Sequence, residues 1–145
     1  MIGLSGSTSV IARLLPFPVQ ALLAFGAGAL YPLAFAPFHG YPLLFLSVAL
    51  FFWLLVRAPA QAGLLAWFFG LGKYAVGVSW IYVSMHQYGG ASSLLAGALV
   101  TGFVAFMALF SLPIGWFVGL LKRRQNNLAV FRLGLGFIGS WVLME

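Results

Sequence analysis

The feature that most constrains this chain is a series of long apolar runs separated by short polar breaks. The run from Ala62 to Val83 contains a single ionisable side chain, Lys73. A helix rises 1.5 Å per residue and needs about 20 residues to cross a hydrocarbon core of roughly 30 Å, so runs of this length match membrane spans. Hydrophobic residues make up 63% of the 145 and charged residues only 6%, too few charges to cover a soluble fold. The sequence therefore predicts an all-α integral membrane protein with no soluble domain.

Breaks that contain Pro, Gly, Asn or charge divide the apolar sequence into about five predicted transmembrane helices. A short N-terminal segment, residues 1–17, precedes one transmembrane helical domain, residues 18–145. The predicted spans are approximately residues 18–35, 42–56, 62–83, 93–121 and 128–145. The fourth span is long, and Pro113 is expected to kink it because proline has no N–H to donate to the preceding turn.

Basic residues set the predicted orientation of these spans. All but one of the seven lie near span ends on the same predicted side of the membrane, namely Arg13, Arg57, Lys122, Arg123, Arg124 and Arg132. The loops on the other side contain no Lys or Arg, so the positive-inside rule places the N-terminus in the cytoplasm. The net charge of +6 is therefore attributed to membrane topology, and no nucleic-acid partner is predicted.

Three glycine patterns lie inside the predicted spans. Gly134–Gly139 fits GxGxxG, Gly70–Ala75 fits its G/A variant, and Gly115–Gly119 fits GxxxG. A dinucleotide site requires the glycine turn between a strand and a helix, which neither of the first two has. We therefore expect these glycines to allow close helix approach within the chain, and the sequence predicts no cofactor.

Lys73 is the one basic residue placed about midway along a predicted span. An unpaired ammonium at that depth costs roughly 2.5 to 3.5 kcal/mol on insertion scales. Glu145 is the only acidic residue, so one hypothesis is an intramembrane pair between Lys73 and Glu145. The alternative is that the Lys73 side chain extends to the membrane interface.

The outer end of the third predicted span carries aromatic and polar side chains, Trp80, Tyr82 and His86. One interpretation is an interfacial anchor, in which the aromatic rings lie at headgroup level. The other is one wall of a lipid-entry site, in which Trp80 and Tyr82 contact acyl chains and His86 faces a headgroup. Two histidines without aspartate or cysteine provide neither a metal site nor a Ser/His/Asp triad, so no catalytic or metal-binding residue is predicted.

Three stretches of the chain form a recognisable set: Leu33–Phe38, Gly70–Gly72 leading into Gly77–Ser84, and Trp141–Glu145. Together they resemble the N-terminal membrane part of the apolipoprotein N-acyltransferase family. The resemblance covers the chain from about Pro18 onward. It implies a multi-pass enzyme of the bacterial inner membrane with about eight spans and a periplasmic nitrilase-like domain.

The same resemblance implies a reaction, its partners and a departure from the family. Such an enzyme moves an acyl chain from a phospholipid donor to the amino-terminal cysteine of a lipoprotein acceptor, through a thioester on a cysteine assisted by a glutamate and a lysine. This chain contains no cysteine, so none of these catalytic residues is carried over, and Glu145 is not the family's catalytic glutamate. We expect a truncated, inactive chain that lacks its catalytic domain in cis. The alternative function is a small multi-pass transporter, channel or assembly factor.

Overall fold

The computed structural model describes residues 15–35, 40–124 and 129–142. In chain order its elements are α1 (Phe17–Leu33), α2 (Tyr41–Arg57), α3 (Ala62–Gly77), α4 (Ser79–Val83), the π-helix π1 (Ser84–Tyr88), α5 (Ser93–Leu109), α6 (Leu112–Arg124) and α7 (Ala129–Val142). All regular structure within these ranges is helical, which confirms the all-α prediction.

Local sequence explains where several helices begin. Prolines occupy the first turns of α1 and α2, where a missing N–H costs nothing because those donors have no partner inside the helix. The Ser92 hydroxyl accepts a hydrogen bond from the backbone N–H of Leu95 at 3.3 Å and so caps the start of α5. These signals explain why the helix starts fall close to the predicted span starts.

Helix α3 lies at the centre of the bundle and packs against α1, α2, α5 and α6. It runs parallel to α1, and the two cross where Gly28 faces Gly72. A Cβ at Gly28 would overlap the Phe69 carbonyl oxygen, and one at Gly72 would overlap the Phe25 carbonyl oxygen. Only a residue without a side chain permits this approach, so the expectation of close packing is confirmed at Gly72.

The GxxxG pattern in α6 serves the same purpose. A Cβ at Gly115 would overlap the Ala62 carbonyl oxygen, and one at Gly119 would lie 2.8 Å from the Pro59 carbonyl oxygen. The predicted packing within the chain is therefore confirmed for α6 against the start of α3.

The packing of helix α7 differs from the close approach that its glycines predicted. A Cβ at Gly134 or Gly139 would meet no atom of the described chain within 4 Å, so the expected close approach is absent at these two positions. The buried Phe137 ring instead contacts α2, with centroid distances of 5.8 Å to Phe51 and 5.3 Å to Phe52. Aromatic packing, rather than backbone proximity, therefore fixes α7 against α2.

The core joins α2 to both α1 and α3. The Phe51 and Phe69 rings stack with centroids 4.0 Å apart and an interplanar angle of 14°, and both side chains are fully buried. The buried Ser47 hydroxyl donates a hydrogen bond of 2.6 Å to the Ala27 carbonyl. A buried hydroxyl needs a hydrogen-bond partner, so this bond fixes the position of Ser47 on α2 beside Ala27 on α1.

Two predicted spans are interrupted. The third was expected as one helix over residues 62–83, but α3 and the α4–π1 segment meet at Val78 with a bend of 49°. The Ser79 hydroxyl donates a 2.9 Å bond to the Val76 carbonyl, which offers that carbonyl a partner where the helix breaks. The fourth is divided by a two-residue turn at Phe110 and Ser111, just before Pro113, but it is long and apolar enough to count as one span from Ser93 to Leu120, so the kink at Pro113 stays a prediction.

The number of membrane spans stays a prediction. By length and hydropathy, the run from Ser93 to Leu120 is sufficient to cross a membrane, and the bent Ala62–Tyr88 segment is a second if its two parts form one span. Phe17–Leu33 and Pro42–Arg57 are apolar but shorter. Among the residues that the structure describes, length and hydropathy therefore support one or two spans, and about five spans stays a prediction.

The described helix ends that carry basic residues lie together. Gly119, near the end of α6, lies against Pro59, which follows Arg57 at the end of α2. Gly77 lies against Pro32 at the opposite end of the bundle. This arrangement agrees with the shared side that the charges predict, whereas Arg13 lies outside the described residues.

Candidate functional site

The bend after α3 determines where Lys73 lies. Lys73 falls one turn before Gly77, the last residue of α3, although the sequence alone placed it in the middle of a single span. Its Nζ lies 4.6 Å from the ring centroid of Tyr31, in the last turn of α1, and 5.6 Å from that of Tyr74. The ammonium therefore lies among aromatic rings near the ends of two parallel helices.

Cation–π contacts of this kind stabilise an ammonium by about 0.5 to 2 kcal/mol, depending on how far water is excluded. These cation–π contacts reduce the free-energy cost of placing the Lys73 ammonium among apolar helices. The suggested partner Glu145 lies outside the described residues, so the Lys73–Glu145 pair stays a hypothesis. The sequence reasoning missed Tyr31 as a neighbour of Lys73, because no local pattern indicates which helices pair.

The predicted lipid-contacting residues lie beyond the bend, on α4 and π1. Tyr82 and His86 are one turn apart, and their rings stack with centroids 5.8 Å apart at an angle of 26°. His86 Nδ1 donates a hydrogen bond to the Ala91 carbonyl at 3.0 Å, since a carbonyl can only accept. Trp80 is 64% exposed. The structure thus joins Tyr82 with His86 and leaves the Trp80 ring on the surface.

A compact turn connects this segment to α5. The N–H of Gly89 donates to the Ser84 carbonyl at 3.0 Å, and that of Ala91 donates to the Met85 carbonyl at 3.1 Å. Gly90 has a φ of +64°, a conformation that glycine adopts without strain. The turn positions the Tyr82–His86 pair at the junction between α3 and α5, while contact of these residues with lipid stays a prediction.

A second surface feature lies between α1, α2 and α7. It is an apolar groove of about 480 Å³, lined by residues that include Tyr31, Phe45, Ala49, Phe52, Phe137 and Ile138. Tyr31 therefore contributes both to this groove and to the surroundings of Lys73. No sequence motif marked the groove, because its walls come from three helices that are distant in the chain.

The chemistry available in these places is limited. In the part of the chain that the structure describes, no group of three or more His, Cys, Asp or Glu side chains could hold a metal ion. The sequence has no cysteine, so these 145 residues cannot form a thioester. The groups present at these places are apolar side chains, aromatic rings, the His86 imidazole and the Lys73 ammonium.

Comparison with known proteins identifies relatives over most of the chain. Residues 27–145 match the family described as Apolipoprotein N-acyltransferase N-terminal domain. Proteins named Apolipoprotein N-acyltransferase are 46% identical over 126 residues in Pseudomonas syringae pv. tomato, 45% over 125 in Pseudomonas paraeruginosa and 43% over 126 in Methylococcus capsulatus. Each alignment covers 86% of this chain and 24% of the relative.

The chain spans about a quarter of the length of these relatives, and the matched family domain is the N-terminal one. The stretches that carried the resemblance in the sequence fall inside the matched region. The chain belongs to the apolipoprotein N-acyltransferase family.

Proposed function

We propose that this chain is the membrane-embedded N-terminal part of an enzyme that transfers an acyl chain from a phospholipid to the amino-terminal cysteine of lipoproteins. The observation that carries the proposal is the match of residues 27–145 to the family's N-terminal domain. Identities of 43 to 46% over 86% of the chain support it. The proposed location is the bacterial inner membrane, with about five spans and a cytoplasmic N-terminus.

The surface of the helices supports a lipid environment. Large apolar side chains face outward on several helices, including Leu94 at 84%, Phe45 at 76% and Trp116 at 69% exposure. Exposing large apolar side chains on several helices at once would be costly in water. Lipid around the bundle removes that cost.

The role of these residues within the whole enzyme is proposed to be structural and lipid-facing. Thioester chemistry requires a thiol, and the 145 residues contain none. We therefore assign the catalytic groups to the remainder of a full-length protein and expect this chain alone to be inactive. Trp80, Tyr82 and His86 are proposed as one wall of the path by which the acyl donor enters.

A chimera tests this assignment. The N-terminal region of the Pseudomonas syringae relative that aligns with this chain is replaced by this chain, and the chimera is expressed in cells depleted of their own apolipoprotein N-acyltransferase. Mass spectrometry of the amino-terminal peptide of a reporter lipoprotein measures N-acylation. We expect acylation with the chimera and none with the 145-residue chain alone.

The opposite results are informative. Acylation by the chain alone would contradict the argument from the missing thiol. A chimera that inserts into the membrane at the level of the unmodified relative but leaves the reporter unacylated would refute the proposed equivalence of the two N-terminal parts and favour a transporter, channel or assembly factor.

A further inference from the structure

We propose that the groove between α1, α2 and α7 binds one acyl chain of an anionic phospholipid whose phosphate is held by Lys73. This inference goes beyond the proposed function and relies on it only for the location of the chain in a membrane. It assigns a second lipid site, separate from the segment that contains Trp80, Tyr82 and His86.

The size and lining of the groove fit a hydrocarbon chain. Its volume of about 480 Å³ lies within the range of roughly 300 to 1,000 Å³ that is typical of small-molecule sites. Phenylalanine rings from two helices, Phe45 and Phe52 on α2 and Phe137 on α7, form its walls. Phe45 and Ile138 remain largely exposed, so the groove is open along its side to the surrounding lipid.

The charge near the groove identifies the headgroup. Tyr31 lines the groove, and the Lys73 ammonium lies 4.6 Å from the centroid of the same ring. Tyr31 is in the last turn of α1 and Lys73 in the last turn and a half of α3, so both are near one end of the bundle. Opposite charges attract most strongly where water is partly excluded, so an ammonium next to an apolar groove complements a lipid with an acyl chain and a net negative headgroup. The long Lys73 side chain can extend toward the interface to meet the phosphate.

The groove is distinct from the proposed entry wall because different helices line it, although Lys73 lies on α3. Segments α4 and π1 pack against α3 and α5. The residues that line the groove come instead from α1, α2 and α7. A substitution in the groove can therefore be tested without altering Trp80, Tyr82 or His86.

The test uses the 145-residue chain reconstituted into nanodiscs that contain equal amounts of phosphatidylglycerol and phosphatidylcholine. After transfer to a mild detergent, native mass spectrometry counts the phospholipids retained by each protein molecule. We expect the unmodified chain to retain phosphatidylglycerol in preference to phosphatidylcholine. Lys73→Gln is expected to reduce that preference about fivefold, which corresponds to about 1 kcal/mol for one basic residue near an anionic headgroup. Lys73→Arg is expected to keep it.

Substitutions that fill the groove test the acyl-chain part of the site. Ala49→Trp on α2 and Ile138→Trp on α7 each place an indole in the groove, and both are expected to lower retention of either lipid. Ala98→Trp, an equal change at an exposed position of α5, is the matched control and is expected to retain lipid as the unmodified chain does. Helix content by circular dichroism confirms that each variant has folded.

The outcomes separate the two proposals. A chain that does not enter nanodiscs would contradict the membrane location on which the proposed function also depends. Insertion with unchanged lipid retention in folded Ala49→Trp and Ile138→Trp would refute the groove site alone. An unchanged lipid preference in Lys73→Gln would refute the assignment of the phosphate to Lys73.

Discussion

Replacing Gly28 by alanine tests how closely α1 and α3 must approach. A Cβ at this position would overlap the Phe69 carbonyl oxygen and lie 2.8 Å from the Phe69 carbonyl carbon and 2.9 Å from the Lys73 nitrogen. All three atoms are backbone, so no side-chain rotation relieves the contact and the helices must separate. Overpacking of this kind typically costs about 1 to 3 kcal/mol. The greater helix propensity of alanine offsets up to about 1 kcal/mol of that cost.

With that offset of about 1 kcal/mol subtracted, we expect Gly28→Ala to lower the free energy of unfolding by up to about 2 kcal/mol relative to the unmodified chain, and by about 1 to 3 kcal/mol relative to Gly26→Ala, which gains the same propensity. Gly26→Ala is the matched control, because it makes the same change in the same helix where a Cβ meets no atom within 4 Å. Its stability is expected to equal or exceed that of the unmodified chain. The assay is unfolding in mixed micelles by titration with sodium dodecyl sulfate, followed by circular dichroism.

The reciprocal position provides a further check. Gly72→Ala meets the backbone of Phe25 and Ala29 at the same crossing, so it is expected to destabilise the chain similarly. Once the helices have separated, the second alanine should cost less than the first, giving a double variant less destabilised than the sum of the singles. Equal stability of Gly28→Ala and Gly26→Ala would refute the close crossing.

Three other predictions concern the interior and the topology of the bundle. Ser47→Ala removes the buried hydrogen bond from α2 to α1 and is expected to cost about 0.5 to 1.5 kcal/mol in the same titration, whereas unchanged stability would contradict that bond. Phe51→Ala removes a fully buried ring and is expected to cost about 3 to 5 kcal/mol, and a loss below 1 kcal/mol would contradict its place in the core. The absence of native cysteine allows single-cysteine labelling: in intact cells a membrane-impermeant maleimide should label Gln87→Cys, while Ala60→Cys should react only after permeabilisation, and the reverse pattern would contradict the cytoplasmic N-terminus.

Local sequence predicted the helices well because their signals act over a few residues. Hydropathy identified the apolar runs that form helices, and proline indicated the starts of α1 and α2. Pro113 follows the two-residue turn between α5 and α6, and the kink expected from its missing N–H stays a prediction. The bend at Val78 was missed, because Gly77, Val78 and Ser79 are also compatible with a continuous helix.

The candidate sites were only partly accessible from the sequence. The pairing of Tyr82 with His86 follows from a separation of four residues along one helical face. The contact of Lys73 with Tyr31 does not, because it joins helices that are distant in the chain. The groove between α1, α2 and α7 was not predicted for the same reason.

The sequence by itself determined that the chain is helical, apolar on nearly every face and without a thiol for catalysis, because composition and short-range pattern fix these properties. The tertiary structure decided which helices pair and how closely. Gly28 opposite Gly72 brings α1 onto α3, and that contact in turn places Tyr31 beside Lys73. Apolar helices in lipid have no hydrophobic preference for one neighbour over another, so the fit between their surfaces selects the partner, and that fit exists only once the helices are assembled.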